Sequence, residues 1–427
     1  MTAARLAAAA AASVAAAPPG PIGVAVSGGG DSVALLLLLH RHAGRPLAAV
    51  TIDHGLRSES AGEAAAVAAL CARLGVPHAV RRWDGAGAGN LQMRAREARR
   101  ALIADWAREA GVGIVALGHT LDDQAETFLL RLARGSGVDG LAAMAPVADF
   151  AGIVWIRPLL GARRSALRSW LAAEGVGWAD DPGNDDPRFD RVRARAALPL
   201  LAPLGLGAER LAATATAMAR ARVALEAATT ELARSSLTAG AAGDVELAAD
   251  ALAGAPAELA LRLLAGALCW VSGARYRPRL ARLEAALAAV VAGRLGHGLT
   301  LHGCILRARR GRVAIRREPA RVASPVPLSA GEWDRRWRLV ARPEAAGADL
   351  TIGALGAEGL ARLPDWRAAG VAGEALLTTP AVWRGAALVA APLARAGSGY
   401  AFRRTSPLTP PWGAGDNALN PPVQSLC

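Results

Sequence analysis

The sequence has no lysine: all 49 of its basic residues are arginine. That absence excludes several chemistries. A Walker-type phosphate loop needs a lysine to reach the β- and γ-phosphates, protein kinases need one on a strand, and pyridoxal-phosphate enzymes need one for the Schiff base. Nucleotide chemistry here must rest on backbone donors, arginine or a metal ion. Cysteine is also scarce. Cys71, Cys269, Cys304 and Cys427 lie far apart and form no CxxC, so no zinc cluster, redox dithiol or disulfide framework is expected. Aromatic residues make up only 4% of the chain. No apolar run approaches the roughly 20 residues of a membrane span; Val33–Leu39 stops at His40. The Ala-rich start (7–17) superficially resembles a secretory signal core, but it is poor in leucine and a strand begins at Ile22. A soluble, cytoplasmic protein with no membrane partner is expected.

What is present is bulk and positive charge. The chain has 427 residues, 53% of them hydrophobic, enough for two or three domains, and a formal net charge of +13. A GC-rich genome would explain why arginine replaces lysine. It explains less easily why bases exceed acids, and a polyanionic partner, nucleic acid ahead of membrane, fits the excess.

From residue 20 to about 120 strands and helices alternate. Ile22–Val26 reads as a short strand running into Ser27-Gly28-Gly29-Gly30-Asp31-Ser32, followed by a buried helix over Val33–Leu39. Leu47–Ile52 is a second strand ending at Asp53-His54-Gly55, and Ser60–Glu63 reads as a capping box opening the next helix. His78–Trp83 is a third strand, Asn90–Ala110 a helix, Gly113–Leu117 a strand, and Leu121–Arg134 a helix preceded by Gly118-His119-Thr120. Alternation of this kind predicts an α/β fold with a doubly wound parallel sheet, whose ligands sit beyond the carboxyl ends of the strands. The polar clusters at 27–32, 53–57 and 118–126 all follow strands at that edge and should converge. The expected division is an Ala-rich extension (1–19), a nucleotide domain (20–205), a helical domain ending in a hairpin (206–319), and a small mixed α+β region (320–427).

A strand, a Ser-Gly-Gly-Gly-Asp-Ser loop and a helix together make a backbone-lined anion site. Asp31 suits such a cradle only through a divalent cation; as an ordinary Gly-rich turn, the loop would use Asp31 or Ser32 as a cap. The hexad resembles the PP-loop of the ATP pyrophosphatases, which share an adenine nucleotide alpha hydrolase-like fold. Gly118-His119-Thr120-Leu121-Asp122-Asp123-Gln124-Ala125-Glu126-Thr127, Arg157-Pro158-Leu159-Leu160, the Asp180–Phe189 segment and Asp53-His54-Gly55-Leu56-Arg57 narrow this. Together they resemble the bacterial tRNA(Ile)-lysidine synthetases, densely from about 22 to 204 and more loosely beyond. Arg100, Gly183 and Val192 depart from that family's usual residues.

The resemblance implies a carbon–nitrogen ligase working on the wobble cytidine of the CAU anticodon of tRNA(Ile). ATP adenylates the carbonyl oxygen on carbon 2 of the base, and free L-lysine then displaces AMP from that carbon, changing the tRNA from methionine to isoleucine identity. It implies ATP and Mg2+ as cofactors and tRNA(Ile) and L-lysine as partners; a homodimer is compatible with it. ATP would be held by Ser27, Gly28, Gly29, Gly30, Asp31, Ser32, Asp53, His54, Gly118 and His119, with Asp31 and Asp123 toward the metal. Asp122, Asp123 and Glu126 are the candidates for lysine; Asp31, Asp122, Asp123, Arg191 and Arg195 for catalysis. His54 and His119 are candidate bases.

Each assignment has a plainer reading. Thr120–Asp123 is also a helix-capping box, and His119 with Asp123 and Glu126 imitates a zinc site that lacks a further His or Cys. Arg191 and Arg195 share a helix face suited to phosphates, or merely to water. Arg96 and Arg99 fit a tRNA backbone. Arg307, Arg309 and Arg310 crowd the hairpin, and Arg335 and Arg336 alternate with Trp333 and Trp337 as RNA-contacting surfaces often do, although Trp is also a core residue. The tRNA thiolases use paired cysteines and the amidotransferases a nucleophilic one, and neither pattern occurs here. A catalytically silent tRNA-binding relative is disfavoured by the intact Asp31, Asp122 and Asp123.

Overall fold

The computed structural model describes residues 2–15, 18–53, 60–83, 85, 91–179, 188–344 and 347–406, apart from the side chains of 60, 91–93, 95 and 96. The side chains of Ser60 and Arg96, His54 with the rest of its loop, and the segment 180–187 therefore lie outside the description. The chain divides into two compact units, Met1–Val223 and the residues from Ala224 onward. Among the described residues no single helix is long and apolar enough to cross a membrane.

The first unit runs α1 (Ala3–Ala15), β1 (Ile22–Ala25), α2 (Gly30–His42), β2 (Leu47–Asp53), α3 (Ser60–Leu74), β3 (His78–Arg82), α4 (Leu91–Glu109), β4 (Ile114–Leu117), α5 (Leu121–Leu132), α6 (Val138–Leu141), β5 (Val147–Phe150), β6 (Ile153–Ile156), α7 (Arg164–Ala173) and α8 (Asp190–Leu201). Its sheet has the order β3-β2-β1-β4-β6-β5, parallel except for the β5–β6 hairpin. The chain winds outward from β1 through β2 to β3, then returns to lay β4 on the other side of β1. The gap between the ends of β1 and β4 is thus the switch point at which such sheets bind ligands. The predicted doubly wound sheet is present; the β5–β6 hairpin has no counterpart in the sequence reading.

Val33 through Leu39 are all buried because α2 is enclosed on every side, by the sheet, α1 and α7. The opposite sheet face is covered by α4 through Ile103, Ala104, Trp106 and Ala107. The Ala-rich start is not an extension. Leu6, Ala10 and Val14, spaced four apart, are buried in the same core as Leu35 and Leu39. Arg45 holds the end of α1 by donating to Val14 O (3.2 Å) and Gly20 O (2.9 Å). Alanine lets two helices approach closely, so here it marks a packed layer of the nucleotide domain.

The division between units falls inside α9 (Ala208–Ser236). The region expected to be a helical domain with a hairpin contains β7 (Leu237–Ala239), β8 (Val245–Ala248), α10 (Ala249–Gly254), α11 (Ala257–Ser272), α12 (Leu280–Val291), β9 (Leu299–Leu301), β10 (Cys304–Arg309) and β11 (Arg312–Arg317). Its strands form one antiparallel sheet of order β7-β8-β11-β10-β9. The glycine-rich break at 240–243 is a strand turn rather than a helix interruption. The remainder carries β12 (Val326–Pro327), β13 (Glu332–Trp333), β14 (Trp337–Ala341), β15 (Leu350–Ala354), α13 (Gly356–Ala361), α14 (Gly373–Leu376), β16 (Pro380–Arg384), β17 (Ala387–Ala390) and β18 (Ala401–Arg404). They build a four-stranded and a three-stranded sheet, the small mixed region expected.

Candidate active site

Ser27 to Ser32 make a tight loop at the carboxyl end of β1. Gly28 has φ +92°, which side-chain-bearing residues rarely adopt, and Gly29 enters α2 in extended conformation. Ser32 Oγ donates to Gly29 O (2.8 Å) and accepts from the Ser27 N–H (3.1 Å), with the two seryl oxygens 3.3 Å apart. The first N–H groups of α2 thus open at the switch point beside two hydroxyls, an anion cradle. Gly118, just after β4, completes it by close approach. A Cβ there would lie 3.0 Å from Ser32 Cα and 3.1 Å from Asp31 O. From the other side Ala179 donates its N–H to Gly28 O (3.0 Å), and Trp178 stands against Gly30.

Thr120 caps α5, and the capping box is real: Asp123 Oδ2 accepts from the Thr120 N–H and Oγ1, both at 2.7 Å. That cap turns Asp123 and, three residues on, Glu126 inward, where Glu126 is fully buried. Asp122 points the other way. Its Oδ2 accepts the backbone N–H of Arg164 (2.7 Å) and its Oδ1 the Arg163 Nε (3.1 Å), so it satisfies the first turn of α7. This corrects Asp122 as a lysine or catalytic candidate, because both its oxygens are already engaged.

The residue that organises the site is Arg164, which the sequence reading did not single out. From the first turn of α7 its Nε donates to Asp31 Oδ2 (2.8 Å), its Nη2 to Asp123 Oδ1 (3.0 Å), and its Nη1 to Glu126 Oε1 (3.4 Å). Two arginines of α8 join from behind: Arg191 Nη1 reaches Asp123 Oδ1 (3.4 Å) and Arg195 Nε reaches Glu126 Oε1 (2.9 Å). The pair expected to share a face does so, but that face meets carboxylates. Two carboxylate oxygens in the cluster, Asp31 Oδ1 and Glu126 Oε2, are buried and accept no hydrogen bond.

Burial pushes the Asp31 carboxyl above its usual range, against the pull of Arg164. Burial would also push Asp123 up. There the Arg164, Arg191 and His119 charges and the Thr120 N–H outweigh it and hold the carboxyl well below the usual range. Arg164 itself, though buried, is held above its usual value by Asp123, Asp31 and Glu126. Asp123 is therefore a fixed anion, committed on both oxygens, and poorly suited to the metal role expected for it. Asp31 keeps an open oxygen.

The structure brings Ser27–Ser32, Gly118, Asp31, Asp123, Glu126, Arg191 and Arg195 together; half-buried His119 sits in the loop before Thr120, and Asp53 ends β2. The expected RNA-contacting residues separate into kinds. Arg309, Arg310 and Arg335 are exposed. Arg307 is exposed but pairs with Glu374 Oε1 (2.6 Å). Arg99 is half-buried on α4, while Arg100 stacks over Phe150 with its guanidinium 4.3 Å from the ring centroid. Arg336 has no exposed surface and Trp333 and Trp337 are core residues, so the Trp/Arg alternation is not an RNA surface. Asp334 and Arg335, with φ of +52° and +56°, reverse the chain between β13 and β14 and send Arg336 inward.

A PP-loop domain family matches residues 3–201, which takes in α1. The tRNA(Ile)-lysidine synthase of Ruegeria pomeroyi is 48% identical over 383 residues, covering 89% of this chain and 90% of that protein. The protein of the same name from a Methylobacterium species is 46% identical over 307 residues, covering 70% of this chain and 89% of that one. Its namesake in Hyphomonas neptunium is 41% identical over 307 residues, covering 70% and 82% respectively.

Proposed function

The chain belongs to the tRNA(Ile)-lysidine synthase family, and on that premise we propose that it joins free L-lysine to carbon 2 of the wobble cytidine in the CAU anticodon of tRNA(Ile). ATP is consumed, and AMP and pyrophosphate are released. The observation that carries the reading is the pair of open carboxylate oxygens, Asp31 Oδ1 at the phosphate loop and Glu126 Oε2 beside it. Buried oxygens without donors are costly unless a ligand cation completes them.

In the first step the base's carbonyl oxygen attacks the α-phosphate of ATP and pyrophosphate leaves. The N–H groups opening α2 and the Ser27 and Ser32 hydroxyls face the charge that develops. In the second step the side-chain amine of lysine displaces AMP. That amine must be held and must lose a proton, and Glu126 Oε2 suits the ammonium, with His119 near enough to act on Asp123's charge. Among the described residues no three His, Cys, Asp or Glu side chains form a metal cage of their own. Asp31 Oδ1 fits Mg2+ shared with substrate phosphates, the usual arrangement for that ion; when bound, it neutralises phosphate charge.

Residues 20–205, with α1, carry the adenylation; 206–319 and 320–427 present arginine to the tRNA, chiefly Arg309, Arg310 and Arg335, with Arg96 and Arg99 on α4. The cytoplasm is the compartment that supplies all three substrates. The test incubates the protein with ATP-Mg2+, labelled lysine and a tRNA(Ile) transcript bearing CAU. Label should enter the tRNA with stoichiometric pyrophosphate. Absence of both would sink the enzymatic reading.

A further inference from the structure

Among the described residues three carboxylates of the cluster, Asp31, Asp123 and Glu126, are paired with the guanidiniums of Arg164, Arg191 and Arg195, and the charges of Arg168 and His119 act on Asp31 and Asp123 as well, so each carboxylate is already compensated before any substrate is present. The lysine assigned to this site brings one more positive charge. A cation entering a compensated, water-poor cluster gains little, because attraction there is strong only toward carboxylate that nothing else compensates. One resident cation has to give way. Arg191 and Arg195 each touch one carboxylate of the cluster in these contacts, whereas Arg164 touches all three and spans the phosphate loop and α5. Its contact with Glu126 is the longest of its three, at 3.4 Å, and Glu126, like Asp31, keeps an open second oxygen.

We propose that Arg164 is a positioning residue that stands in for the substrate's ammonium: it compensates Glu126 and Asp123 while lysine is absent, and yields Glu126 to lysine while keeping Asp31 in place. The proposal rests on the lysine-ligase reading above. It makes an unusual demand. Without the guanidinium, lysine meets under-compensated carboxylates and binds more tightly, while Asp31 loses its anchor and turnover falls. A merely structural lesion would raise KM or leave it alone.

The experiment measures lysine KM and kcat for the full chain and for Arg164→Gln in the labelled-lysine assay with ATP-Mg2+ and the CAU transcript. Lysine KM is expected to fall about 5-fold and kcat at least about 10-fold. Added guanidinium ion at low millimolar concentration should partly restore kcat and compete with lysine in the variant. A lysine KM that stays constant or rises, or guanidinium that leaves lysine KM untouched, overturns the proposal. Arg164→Met, which keeps the apolar stem without the charge, carries the same readouts if Arg164→Gln is insoluble; insolubility of both variants makes Arg164 a structural strut and also overturns it. Failure of the unsubstituted chain to label tRNA sinks the ligase reading instead, whatever the variants do.

Discussion

Two buried arginine–carboxylate networks among the described residues are near mirror images in charge. In the first unit one guanidinium, Arg164, serves three carboxylates. In the second, one carboxylate, Asp334, serves two guanidiniums: its Oδ1 accepts from Arg317 Nη2 (2.9 Å) and the Ala323 N–H (3.0 Å), its Oδ2 from Arg317 Nε (3.1 Å) and Arg336 Nε (2.7 Å). Arg336 spends its remaining donors on Val271 O (3.2 Å) and Thr378 O (2.7 Å), and Arg317 on Gly303 O (3.1 Å) and Arg321 O. The difference lies in completeness. Asp334 has four donors on two oxygens, whereas the first cluster leaves one oxygen of Asp31 and one of Glu126 open. A saturated network holds elements together, here α11, the β13–β14 turn and the segment after α14. An unsaturated one is poised for a ligand.

The largest expected effect tests the unsaturated side. Asp31→Ala should lower lysidine formation on the order of 10³-fold, the scale of losing a charge-stabilising group at a reacting phosphate, while tRNA binding and the melting temperature stay close to those of the parent. Full activity would refute the role given to its open oxygen. The saturated side should answer in the opposite currency. Asp334→Ala strands two buried guanidiniums and should cost roughly 3–5 kcal/mol of unfolding free energy, measured by urea denaturation. A stable Asp334→Ala protein would erase the distinction drawn between the two networks.

The two units should also part company with pH. Burial pushes both Cys269 and Cys304, in the second unit, up to about 12, and Cys71, in the first, up to about 11. Their folded values exceed the unfolded one, so the fold keeps protons that the open chain releases. Stability from this source is intact below about pH 8.5 and falls as pH rises, by roughly 2 kcal/mol per thiol at pH 10. Asp123, in the first unit, runs the other way: its depressed value contributes stability above the ordinary carboxylate range that is lost on acidification. Unit-resolved hydrogen exchange at pH 3 and pH 10 should find the first unit loosened by acid and the second, with two raised thiols against one among the described residues, loosened more by alkali; the reverse order would break the comparison.

Much of the first network could be read from residues close together in the chain. The phosphate loop, its glycines and the Thr120–Asp123 cap are local patterns whose geometry follows from backbone conformation, and the convergence of two of the loops follows from strand order. Arg164 escaped because nothing local marks it. It stands in an ordinary Arg-Arg-Ser turn, and its role arises only when α7 is laid beside α5, 41 residues away in sequence from Asp123. The Ala-rich start misled for a related reason: alanine gives a weak periodic signal, although Leu6, Ala10 and Val14 do mark one face. In the second unit the misreading went the other way. Alternating tryptophan and arginine looks the same whether it faces water or a core, and only the two left-handed residues at Asp334 and Arg335 decide which side each takes.

Smaller effects belong to the exposed arginines. The pair Arg309→Ala/Arg310→Ala should weaken tRNA binding about 10-fold and reduce the salt dependence of binding by about two counterions, with lysine-dependent chemistry spared at saturating tRNA. Unchanged affinity would remove the hairpin from the footprint.

The smallest effect draws the sharpest line, because it separates neighbours in sequence. Arg335 is exposed at the β13–β14 turn, while Arg336, one residue on, is wholly enclosed. If Arg335 contributes one phosphate contact, Arg335→Ala should cost only a few-fold in tRNA affinity, with a salt slope lower by about one. Its melting temperature should not move, because a single exposed side chain carries little stability. Arg336→Ala should do the converse, since a buried Asp334 that loses one partner and two carbonyls that lose their donors are paid for in folding free energy. Filter binding and thermal denaturation on the two variants side by side decide the matter. Loss of tRNA affinity in Arg336→Ala without loss of stability would mean that the buried network of the second unit is itself part of the RNA site, and completeness of hydrogen bonding would no longer distinguish scaffold from ligand site in this protein.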